Sequence, residues 1–78
     1  MSTDMKLRLD ARAVLQRVNR KLKNANEIVK KARGRLEQEV GEYYRLDLHR
    51  NAIIEKDVDL EKLGRELGVL KPYEVIRS

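Results

Sequence analysis

Nine basic residues lie between Arg12 and Arg35, with a single acid, Glu27, among them. Such a run can do one kind of chemistry well: it can neutralise phosphates, because each cation that meets a polyanion releases condensed counterions. Arg17, Arg20, Lys21, Lys30, Lys31 and Arg33 are the candidate contacts, and Arg12, Lys23 and Arg35 extend the run. The bland counterpart is a solvated face that keeps a small protein soluble. The near-exclusion of acids over 24 positions favours a nucleic-acid footprint, on DNA or RNA. No aromatic residue interrupts the run, so nothing within it stacks on single-stranded bases; Tyr43 and Tyr44 follow, and Tyr43 is the residue to watch for stacking.

Other chemistry has little to draw on. His49 is the one histidine, and no cysteine exists to join it as a metal ligand or nucleophile, so a solvated turn residue is the expectation. Asp47, Glu55, Asp57, Asp59 and Glu61 lack the D-x-D-x-D-G spacing of a calcium loop and read as caps and cross-strand partners. Ser2, Thr3 and Ser78 are the hydroxyl candidates, all near the ends, and the glycines at 34, 41, 64 and 68 form no phosphate-cradling loop. The expectation is a non-enzymatic protein with no catalytic residue, no metal and no cofactor.

The charge is uneven. Residues 1–40 hold eleven Lys/Arg against five Asp/Glu, whereas residues 41–78 hold seven against eight, within a net charge of +5. An absence of cysteine leaves packing, helix caps or self-association to stabilise 78 residues, so a homodimer is one expected partner arrangement. No apolar run approaches membrane-spanning length, and Met1–Lys6 lacks a signal-peptide apolar region, so a cytoplasmic protein without a membrane partner is expected.

The elements that position these residues read as one α+β domain over 1–78. Asp10 is placed as an N-cap, and Ala11, Val14, Leu15, Val18 and Leu22 recur at helical spacing. This predicts an amphipathic helix over about residues 11–23, with Arg17, Arg20, Lys21 and Asn24 opposite its apolar floor. Residues 24–41 admit two readings. A near-heptad series, Leu22, Ala25, Val29, Ala32, Leu36 and Val40, would prolong the helix. Asn24, Asn26 and Gly34 instead favour a break, with a strand over Glu27–Arg33 and a helical turn over Arg35–Val40, and the break is preferred.

Alternation places Tyr44, Leu46 and Leu48 on one face of a strand. A His49–Asn51 loop then returns the chain as Ala52–Asp57, with Leu48 facing Ala52, Leu46 facing Ile54 and Arg45 facing Glu55. Asp59 caps a last helix whose stripe is Leu60, Leu63, Gly64 and Leu67, closed by Gly68 and followed by Pro72. Residues 1–9 are expected to be flexible and 73–78 a frayed tail.

Leu63–Val69 resembles the first helix and turn of a helix-turn-helix, but Pro72 and Glu74 fall where a recognition helix should run. The leading expectation is a small nucleic-acid-binding or regulatory protein. The alternative is a protein-interaction module, an adaptor or an inhibitor of the kind mobile elements encode, binding an acidic protein surface. In that reading the seam from Leu15 to Val29 serves as a dimer interface. Binding to anionic membranes is disfavoured, because the apolar face of the first helix has no aromatic residue.

Overall fold

A computed structural model describes residues 6–77, so residues 1–5 of the expected flexible start and Ser78 lie outside the described residues. The elements run β1 (Leu7–Leu9), α1 (Ala11–Leu22), a 3-10 turn (Lys23–Ala25), β2 (Glu27–Lys31) and α2 (Arg35–Val40). They continue as β3 (Tyr43–Asp47), β4 (Ala52–Glu55), α3 (Leu60–Glu66) and β5 (Glu74–Ile76). This is the α+β layout that the spacing predicts.

Asp10 caps α1 by accepting from the Arg12 amide at 3.2 Å, and Val14, Val18 and Leu22 are its buried stripe. The helix stops where the two asparagines predict a stop. Asn26 closes the 3-10 turn in the left-handed region, at φ 56°, which asparagine tolerates better than most residues. The long-helix reading is therefore overturned: Val29, Ala32 and Val40 are buried, but from a strand, a link and a second helix. Val18, Leu22 and Val29 of the supposed dimer seam sit inside the core with Leu60, Leu63 and Leu70.

Antiparallel β2, β3 and β4 form one sheet in that order. Its β2 edge is closed by Asn19, whose amide donates to the Val29 carbonyl at 3.0 Å and accepts from the Val29 amide at 2.7 Å. An edge strand thus has its outward polar groups satisfied by the neighbouring helix. The β3–β4 pairing corrects the expected register. Asp47 faces Ala52 and Leu46 faces Ile53, and a bulge then lets Arg45 face Glu55. The extra residue is Ile54, and the connection spans Leu48–Asn51 rather than three residues. Asp47 sets this longer turn by accepting from the amides of His49 (2.9 Å) and Arg50 (3.2 Å), while Asn51 takes φ 53°.

Asp59 caps α3 by accepting from the Lys62 amide at 3.1 Å. Gly68, at φ 75°, ends the helix, and the Val69 amide returns to the Gly64 carbonyl at 2.9 Å. No recognition helix follows: residues 74–76 form β5. Here the ends depart from the expectation of flexibility and fraying, since Leu7, Arg8 and Leu9 pair in parallel with Glu74, Val75 and Ile76. Charged side chains hold the tail in place. Glu74 is buried and accepts from the Lys71 amide at 2.8 Å, Arg65 donates to the Glu74 carbonyl at 3.0 Å, and Glu61 accepts from the Ile76 amide at 2.8 Å.

Candidate nucleic-acid interface

The apolar stripe of α1 fixes where its cations point. With Val14, Val18 and Leu22 inward, a 100° step per residue sends Arg20 to the crest and Arg17 and Lys21 to one flank. Arg17, Arg20 and Lys21 line a concave surface there with Asn24 and Val69. Arg12 falls on the other flank, where a second concavity gathers it with Lys31, Arg33, Asp10, Leu15 and Tyr43.

The six predicted contacts therefore do not form one continuous patch. Lys30 and Lys31 are consecutive on β2, and a strand sends consecutive side chains to opposite faces. Lys31 shares the α1 side with Val29, whereas Lys30 stands on the far face opposite Tyr44. Arg17 is also committed in part. It donates to the Val69 carbonyl at 3.3 Å and lies 3.5 Å from the Glu74 carboxylate, with its side chain 42% exposed. Its first role is to tie the C-terminal segment to α1.

One acid interrupts the basic run, and it is spent elsewhere. Glu27 Oε1 lies 2.7 Å from Arg45 Nη2 and accepts from Arg45 Nε at 2.7 Å, while Arg45 Nη1 reaches Glu55 at 3.3 Å. Burial alone would lower the Arg45 guanidinium. The hydrogen bond and charge of Glu27, then those of Glu55, outweigh it and raise the group above its ordinary value. Among the described residues, eight of the nine cations from Arg12 to Arg35 make no ion pair, Arg17 being the exception. Arg20, Lys21, Lys30, Lys31 and Arg33 are all exposed.

The tyrosines exchange their expected places. Tyr43 packs against the core, and burial first, then the charges of Glu42 and Asp10, push its phenol above the usual value. Tyr44 is the one on the open sheet face, beside Lys30. Sequence reasoning did not name Asn24, Val69 or Tyr44 as site residues. Asn24 was legible on the wheel beside Arg17 and Lys21, whereas Val69 comes from a segment 48 positions after Lys21 with no local signal.

His49 sits exposed in the hairpin turn. Glu55, Asp57, Asp59 and Glu66 border a shallow surface with Lys62, but Asp59 is occupied as a cap and Asp57 lies against Gly41. Gly41 has φ 83°, and an added Cβ would overlap the Asp57 carboxylate, so the glycine is a packing requirement. Among the described residues no three His, Cys, Asp or Glu side chains are grouped to hold a metal, and no helix is long and apolar enough to cross a membrane. Compared with protein-family models, curated proteins and solved structures, the chain matches none.

Proposed function

We propose that the chain is a small non-enzymatic nucleic-acid-binding or regulatory protein that contacts phosphates through the cations of α1 and of the β2–α2 link. One observation carries the reading. The only acid in the basic run is bound to Arg45, which leaves eight exposed or flanking cations without a counter-charge among the described residues. Arg20 and Lys21 form the first contact surface, and Lys31 and Arg33, with Arg12, the second. Arg17 orients the first surface from its tie to Val69, and Lys30 contributes from the sheet face. With no base-reading element in either surface, the site supports affinity without sequence preference.

Fluorescence anisotropy of labelled duplex DNA and of single-stranded RNA tests this. The reading predicts micromolar binding at low salt to at least one of them, with little dependence on base sequence. No binding to either would refute it. The division of the cations between two flanks of α1 favours a second reading, in which they bracket an acidic protein surface rather than track one strand. A partner that binds with unchanged affinity after nuclease treatment, and that nucleic acid fails to displace, would mark that case. In either reading the first helix is the contact element, and the core beneath it is the scaffold.

A further inference from the structure

The helix α1 carries no acid along its length, and a neutral ridge divides its outer side. Arg20 reaches from the crest into the first concavity, beside Arg17 and Lys21. At 100° per residue, Ala13 and Gln16 then mark the midline opposite the buried stripe, with Gln16 exposed. Beyond that ridge stand Arg12, Lys31 and Arg33 in the second concavity, with Asp10 at its rim. Asp10 is the cap of the same helix and is held by the Arg12 amide at 3.2 Å. On the first side Arg17 shares its charge with Glu74, and Arg20 and Lys21 pair with no acid. Each flank therefore keeps an excess of positive charge, and the ridge between them has none.

Two rows of cations on either side of a neutral ridge match two rows of phosphate rather than one. A single strand seated in one concavity leaves the other idle, because the width of a helix, about 10–12 Å, stands between them. A duplex supplies both rows at once. In B-form DNA the major groove is about 12 Å wide and admits a helix between the two backbones. Duplex RNA carries the same charge, but its major groove is deep and too narrow to be entered. The ridge suits the open groove, since it brings no carboxylate against the bases and little bulk at Ala13.

We propose that α1 lies in the major groove of B-form DNA with the Ala13–Gln16 ridge inward, each flank meeting the phosphates of a different strand. This rests on the polyanion reading above and adds to it the kind of duplex and the groove. Arg20 and Lys21 serve one backbone, and Lys31 and Arg33 with Arg12 serve the other. The ridge offers the bases one polar group, the Gln16 amide, so binding stays nearly indifferent to sequence.

Fluorescence anisotropy across a salt series tests the placement with labelled probes of one sequence. These are duplex DNA, its single strand, duplex RNA, and duplex DNA carrying glucosylated hydroxymethylcytosine. The glucose fills the major groove and leaves the phosphates in place. Plain duplex DNA is expected to bind tightest, and each other probe about tenfold more weakly or worse. Lys31→Ala/Arg33→Ala, at two exposed positions, is expected to keep the circular dichroism spectrum of the wild type. On plain duplex DNA it should lower the slope of log affinity against log salt by about 2. Equal affinity for the plain and glucosylated duplexes overturns the groove placement. Equal affinity for duplex RNA or for the single strand overturns the choice of duplex DNA. An unchanged slope in the double variant overturns the contact to two strands. Each of these results leaves the polyanion reading standing, whereas binding to none of the probes removes both.

Discussion

The helical part of the molecule and its hairpin handle the same residue types in opposite ways. Around α1 and α3, Val14, Val18, Leu22, Leu60 and Leu63 are interior, and the charges are outside. In the hairpin and the strand beside it, Arg45 and its two glutamates, Glu27 of β2 and Glu55 of β4, occupy the inner side, and Leu46 and Ile53 face outward. Stability therefore resides mainly in the first region, where apolar area leaves water. The second is held by its ladder, its turn and its ion pairs, and it presents a surface. Hairpins of this kind open locally at lower cost than a packed core.

The largest effect should expose that contrast. Leu22→Ala, at 3% exposure, is expected to cost about 2–5 kcal/mol by urea denaturation. Leu46→Ala, on a half-buried face, is expected to cost under about 1 kcal/mol at concentrations where the chain is monomeric. Equal losses would break the comparison.

Next comes the joint between the two regions. Asn19→Ala removes both hydrogen bonds to Val29 and leaves the β2 edge unsatisfied, at an expected cost of about 1–3 kcal/mol. The exposed Asn24→Ala is the control, and it should leave the urea midpoint nearly unchanged. If Asn19→Ala is equally silent, α1 does not secure the sheet edge.

The smallest effect is alkaline. The Tyr43 phenol titrates above the usual 10.0 in the folded chain, so folding favours its protonated form. Its contribution is present below about pH 10 and is lost as pH rises through the folded value. Tyr43→Phe is expected to flatten that alkaline loss. Absorbance of tyrosinate should show a phenol ionising above the usual 10.0 in the wild type that is gone in Tyr43→Phe; its absence from the wild type would contradict the placement of Tyr43 against the core.

Much of the fold was legible because its signals are local. Asp10 and Asp59 cap the helices they precede, Asn26 breaks the chain where expected, and Gly68 ends α3. The hairpin slipped by one position because a bulge at Ile54 absorbs the residue that a longer turn takes up, and period-two alternation cannot reveal a bulge. The paired ends were not legible. Three-residue strands carry no periodicity, and Leu7 finds Glu74 across 67 positions. The buried role of Glu74 depends on Arg17, Arg65 and the Lys71 amide, which no local pattern connects.

The candidate site divides along the same line. Its composition was plain in the sequence, and its placement was not. Whether Lys30 and Lys31 share a face turns on strand against helix, and the commitment of Arg17 to Val69 and Glu74 depends on a contact over fifty positions away.

The polyanion reading is tested most directly by the salt dependence of binding in the double variant Arg20→Ala/Lys21→Ala against the wild type. On duplex DNA, each phosphate contact adds about 0.9 to the slope of log affinity against log salt. The variant is expected to bind more weakly to every sequence, with a slope shallower by about 2. An unchanged slope with unchanged affinity would show that the crest of α1 does not meet phosphates.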